Sequence, residues 1–179
     1  MKKTPKNIAW AKKHGARMLP YRDLPLPHQY AIAHYMAIDG EAWEWPDENG
    51  ANFDMGKRTA KDFERYDQYM KRTLKRKIQF FIDKYGNTKF GIIDIPSVEV
   101  YKRMFKLDKD IHHSFDNFEE YHKWYIKNDG PAETTRHRRT NRWPCIISGF
   151  DDELFQDGWH RFHTYIRRKD PTIPCIFYS

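Results

Sequence analysis

Cysteine is scarce in this chain, with two in 179 residues, and long apolar runs are missing. Two thiols cannot build a disulfide framework. Cys145 and Cys175 each stand beside isoleucine in a strand-like run, which suits small buried hydrophobes in a reducing compartment, with a disulfide between neighbouring strands as the alternative. No stretch reaches the apolar length of a membrane span, and the opening MKKTPKNIAWAKKHG lacks the apolar core of a secretory signal. These absences argue against a membrane partner and make the cytoplasm the expected location. Also missing are an internal repeat, a low-complexity tract, a P-loop and a zinc-spaced Cys/His set. His112 and His113 are adjacent, a spacing that sends them in different directions, so they read as structural.

What is plentiful is positive charge and aromatic surface. Lys and Arg number 32 against 25 Asp and Glu, a formal +7 that favours polyanionic partners such as nucleic acid, nucleotides or acidic proteins. With 6 Trp, 11 Tyr and 12 Phe, rings are available both for a core and for stacking on bases. The length suits one domain, or one domain with a substantial extension.

Residues 1–20 carry many cations and few periodic apolar positions, which predicts a loosely held basic arm or a short helix. Pro27 is placed to open a helix over HQYAIAHYMAIDG. The polar stretch EWPDENGANFDMGKR, with Pro46, Gly50 and Gly56, reads as a loop; its acidic residues do not follow a calcium-loop spacing. Next comes a long amphipathic helix over 59–85, closed by Gly86, with Phe63, Tyr66, Met70, Leu74, Ile78, Phe81 and Tyr85 on one stripe. Lys71, Arg72, Lys75, Arg76 and Lys77 occupy its remaining surface and could follow a phosphate backbone; a solvated basic face is the plainer alternative. A second basic cluster, Arg136, His137, Arg138, Arg139 and Arg142, falls in an expected loop that could clamp a triphosphate or grip nucleic acid, or simply connect.

The C-terminal run WPCIISGFDDELFQDGWHRFHTYIRRKDPTIPCIFYS carries most of the functional signal. It reads as strand, turn, strand, turn, helix, strand, and sets Asp157, Gly158, His160 and Arg161 at a strand-to-helix junction. Glycine there lets backbone approach a ligand, and the amides and dipole of a helix start attract anions. His and Arg are poor electrostatic choices for a helix start unless an anion is near. The plainer alternative has Asp157 capping the helix while His160 and Arg161 lie on its surface.

The order of these pieces resembles that of ParB N-terminal domains, sulfiredoxins and the related free-serine kinases. The matching parts are Trp143-Pro144-Cys145-Ile146-Ile147, then Asp157-Gly158-Trp159-His160-Arg161, then Thr172-Ile173-Pro174-Cys175-Ile176. Upstream, FDNFEEYHKWYIKNDG resembles the family's short helix and FGIIDIPSVEV its opening strand, so the resemblance covers about residues 90–179. It implies phosphate contacts for Gly158, His160 and Arg161. Trp159 stands where sulfiredoxins keep a nucleophilic cysteine, which argues against sulfinic acid reduction. Trp-His replaces the Glu-Arg of the ParB branch, and the serine-kinase branch comes nearest in this turn.

Two functions follow as expectations. One is a nucleotide-binding protein, using ATP or CTP with or without Mg2+, that acts as a phosphotransferase or hydrolase with Asp157 and His160 as catalytic groups. The other is a non-enzymatic DNA- or protein-binding factor on the same fold, of the kind a phage or mobile element directs at a host. The expected architecture is α+β: a helical region over 1–89 packed on a mixed sheet in 90–179, with strands near 90–100, 143–149, 152–157 and 172–178, the two regions sharing one core.

Overall fold

The structure, a computed structural model, describes residues 4–39, 78–108, 115–128, 141–150 and 153–178. Along these the chain forms α1 (Lys6–Lys13), β1 (Arg17–Pro20), α2 (Leu26–Asp39), a helical segment α3 (78–85), β2 (Lys89–Pro96), α4 (Ser97–Asp108), α5 (Phe118–Asn128), β3 (Cys145–Ile147), β4 (Phe155–Asp157), α6 (Trp159–Arg167) and β5 (Thr172–Tyr178). The architecture is α+β, with a five-stranded mixed sheet in the order β1-β2-β5-β3-β4. β5 pairs antiparallel with β2 and parallel with β3. A centre strand is covered on both faces, and TIPCIFY meets that demand with an unbroken buried run from Ile173 to Phe177.

The alternation of strand side chains divides the core in two. On one face Ile95, Cys145, Ile147, Phe155, Ile173, Cys175 and Phe177 meet α1, α4, α5 and α6. On the other, Phe90, Ile92, Ile146 and Ile176 meet α2, α3, Tyr21 and Trp143. Both clusters draw on both halves of the chain.

Two sequence expectations are corrected, and one is decided between its alternatives. Of the loose arm and the short helix expected over 1–20, the chain takes the short helix: Ile8 and Ala11 of α1 are buried in the first cluster, and Arg17–Pro20 continues as an edge strand paired with β2. The strand expected over 90–100 stops at Pro96, and Ser97 opens a helix, its amide bonded to the Pro171 carbonyl at 3.0 Å. The next two strands are shorter than expected, three residues each.

Local signals set the helix starts. Pro27 lies in the first turn of α2, as expected. Asn117 and Glu120 form a reciprocal cap on α5: Asn117 Oδ1 accepts from the Glu120 amide at 3.0 Å, and Asn117 Nδ2 donates to Glu120 Oε1 at 3.0 Å. α3 ends in a turn at Gly86, with Ile78 and Phe81 buried; the other residues of the helix expected over 59–85, and those of the loop expected before it, lie outside the described residues.

Candidate functional site at the start of α6

β4 delivers the chain to Gly158, which caps α6 with φ +104°, in the left-handed region that favours glycine. Space imposes a second demand. A β-carbon at this position would stand 3.0 Å from Cys145 Cα and 3.2 Å from Arg161 Nη2. Glycine is thus favoured twice at position 158, by backbone conformation and by the close crossing of β3. No side chain caps the helix, and no acidic residue lies in its first turn.

Asp157 and Arg161, four apart, form an ion pair between Oδ2 and Nη2. The partners differ sharply in exposure. Arg161 is 3% exposed and Asp157 34%. The guanidinium lies under the helix start, its Cζ 5.9 Å from the Trp143 ring centroid. Among the described residues Arg161 Nη1 is buried without a hydrogen-bond partner. The plainer sequence alternative is corrected at two positions, because Asp157 does not cap the helix and Arg161 does not lie on the surface.

His160 is exposed, and its Nδ1 meets the Tyr125 hydroxyl of α5 at 2.8 Å. The Tyr125 ring lies parallel to the fully buried His163, centroids 3.7 Å apart. His163 in turn shares a hydrogen bond between its Nδ1 and that of His122, at 2.8 Å. Burial, reinforced by Arg167 and opposed by Glu119, holds His122 below the ordinary histidine range. Tyr125, His122 and His163 escaped the sequence reading. Only the i,i+3 spacing of His160 and His163 hinted that α6 presents two imidazoles to one neighbour.

Neither cysteine is a nucleophile here. Cys145 lies against the turn, its Sγ bonded to the Gly158 carbonyl at 3.4 Å, and burial pushes its thiol up to about 12 against the pull of Arg161. Cys175 is its direct neighbour in register on β5, also raised by burial, and both thiols are free. Trp159 is half-buried, edge-on to Phe155 with centroids 5.8 Å apart.

Of the two basic clusters singled out in the sequence, Arg142 is the member among the described residues. It has φ +58°, in the left-handed region, and donates to the Thr172 carbonyl and hydroxyl at 3.1 Å each and to Asp94 Oδ1 at 2.6 Å. Its Cζ lies 5.4 Å from the Tyr165 ring centroid, and the Tyr165 hydroxyl donates to the Trp143 carbonyl. Arg142 and Arg161 thus approach the Trp143–Tyr165 pair, both engaged by carboxylates. Lys71, Arg72, Lys75, Arg76, Lys77, His112, His113, Arg136, His137, Arg138 and Arg139 lie outside the described residues.

A separate apolar cavity of about 320 Å3 opens on the other face of the sheet, lined by Ile32, Tyr35, Tyr85, Thr88, Phe90, Ile146 and Tyr178. No charged side chain among the described residues lines it, so that lining is not suited to a phosphate. Among the described residues no three His, Cys, Asp or Glu gather to hold a metal ion, and no helix is long and apolar enough to cross a membrane.

No family model, curated protein or solved structure matches this chain.

Proposed function

We propose that the protein binds a nucleotide by its phosphates at the β4–α6 turn. The observation that carries this reading is the half-satisfied guanidinium of Arg161, buried beside a bare glycine at a helix start. A buried cation with an unbonded N–H group is costly, and a phosphoryl oxygen is the acceptor that suits it. The dipole of α6, undiminished by any first-turn carboxylate, adds to the attraction. Exposed His160 supplies a side-chain donor on the same turn. The resemblance of this turn to the ParB, sulfiredoxin and free-serine kinase pattern points the same way.

The residues fit a Mg2+-nucleotide as well as a bare one. Among the described residues Asp157 is the carboxylate at the turn, and Mg2+ is commonly held by one or two carboxylates together with phosphate oxygens. To serve there, or as a base in phosphotransfer or hydrolysis, Asp157 must leave Arg161, and its one-third exposure gives it room to turn toward water. A phosphate taking its place on the guanidinium would preserve the charge balance of the buried site.

The test is a thermal-shift and calorimetric titration of the full chain with ATP, CTP and GTP, each with and without Mg2+. A ligand at 100 times its Kd stabilises the native state by about 2.7 kcal/mol. A shift that is reduced in His160→Ala and in Arg161→Lys supports the reading; no shift with any nucleotide overturns it.

One observation favours the second function, a DNA- or protein-binding factor. Arg142 and Arg161 are both paired with carboxylates of the same fold, as in a scaffold whose turn has become structural. DNA binding with a steep salt dependence, and no response to nucleotides, would select it.

A further inference from the structure

We propose that Tyr125 is a positioning residue that holds His160 as its Nε2–H tautomer, so that His160 presents an uncharged N–H donor, not a base, at the first turn of α6. The inference rests on the phosphate reading only in naming what that donor faces.

The direction of the proton follows from the two groups. A phenol is a good donor and a weak acceptor, whereas the unprotonated nitrogen of a neutral imidazole is a strong acceptor. The 2.8 Å contact between Tyr125 Oη and His160 Nδ1 is therefore an O–H donating to Nδ1. With Nδ1 occupied as an acceptor, the one proton of the neutral ring sits on Nε2.

The hydroxyl is held in place by layers behind it. Tyr125 is 8% exposed, and its ring lies on His163 with an interplanar angle of 11°. His163, fully buried, is fixed by the Nδ1–Nδ1 bond to His122, and His122 is stacked in turn on Phe118 at 5.8 Å between centroids. Two of these rings belong to α5 with Tyr125, and one to α6 with His160. The same layers that dock the helices thus fix the distance from the Tyr125 hydroxyl to His160. On the α6 side, Thr164 Oγ1 donates to the His160 carbonyl at 2.8 Å. A donor that needs no proton uptake suits an anion site at neutral pH, where an ordinary histidine is mostly uncharged.

The experiment is a long-range 1H–15N correlation spectrum of the full chain with 15N-labelled histidine at neutral pH, without nucleotide, for the wild type and Tyr125→Phe. His160→Gln assigns the signal. The wild type is expected to show His160 as the Nε2–H form, and Tyr125→Phe, which keeps the ring on His163, a mixture of tautomers. A wild-type proton on Nδ1, or unchanged populations in Tyr125→Phe, overturns the proposal. A second pair of variants covers the case in which Tyr125→Phe does not fold. With ATP as the probe, His160→Gln, whose amide reaches toward the Nε2 position, should retain affinity. His160→Asn, reaching toward Nδ1, should lose about threefold to tenfold; the reverse order overturns it. If no nucleotide binds while the tautomer signature holds, the phosphate reading fails and the positioning of His160 by Tyr125 stands.

Discussion

Gly91 on β2 lies directly across from Phe177 on β5, and the Phe177 ring fills the space where a β-carbon at position 91 would stand. The pair faces the first core cluster, where Phe177 is fully buried. Gly91 gives up packing of its own, and the neighbouring ring covers the bare backbone. Gly91→Ala should therefore overpack the sheet and cost about 3 kcal/mol in urea unfolding. A cost near zero would mean that Phe177 turns away without penalty and that the ring is not fixed by the glycine.

Asn7 should prove the most consequential polar residue of α1. It is fully buried, its Nδ2 donates to the carbonyls of Phe150 and Glu153 at 2.6 and 2.7 Å, and its Oδ1 accepts from Arg103 Nη2 at 2.9 Å. One side chain ties α1 to the β3–β4 connection and to α4. Asn7→Leu keeps the volume but strands two carbonyls and part of a guanidinium, so a loss of about 3 kcal/mol is expected. If denaturant titration shows less than about 1 kcal/mol, water replaces those bonds and the tie is weak.

These two residues show what the sequence made legible and what it did not. Strand runs such as TIPCIFY declare themselves because their signals are local. β1 does not: four residues, RMLP, with apolar character at Met18 and Leu19, become a strand only because β2 offers an edge. α4 was hidden by Val98 and Val100, whose β-branched side chains prolong the strand pattern of FGIIDIP past Pro96. At the site, the DGWHR turn was found by its type, and the four-residue spacing of Asp157 and Arg161 was present to be read. That Arg161 turns inward depends on Trp143 and Cys145, and that His160 meets Tyr125 depends on a contact 35 residues away. Long-range contacts leave no periodicity behind.

Acid should weaken the fold in part through His28. Burial lowers its pKa to about 4, with Asp94 pulling upward and Arg142 reinforcing the drop. The unfolded chain takes up this proton near pH 6.5, so the folded state binds fewer protons between those values. The contribution is complete above about pH 6.5 and is lost as pH falls toward 4, with a total of about 2–3 kcal/mol after allowance for partial exposure. Urea unfolding of the wild type and His28→Gln at pH 7 and pH 4.5 separates this group from others. The variant should lose less stability between the two, and equal losses would assign the acid sensitivity elsewhere.

The ion pair at the start of α6 should respond asymmetrically to mutation, because only one partner has access to water. Removing the Asp157 charge leaves a guanidinium that is 3% exposed with no counter-charge in the pair, the situation that costs about 3–5 kcal/mol in buried sites. Removing Arg161 leaves a carboxylate that is one-third exposed and can turn to solvent, so Arg161→Met, which keeps much of the packing, should cost about 1–2 kcal/mol. The double variant Asp157→Asn with Arg161→Met should then be more stable than Asp157→Asn alone, a coupling that a double-mutant cycle reads directly. Phosphate should rescue Asp157→Asn, since an anion at the turn supplies the missing charge, and should do nothing for Arg161→Met. Rescue of neither variant, with the stability order intact, would show that the guanidinium serves the fold alone; equal costs for the two single variants would show that Arg161 has more access to water than its burial indicates.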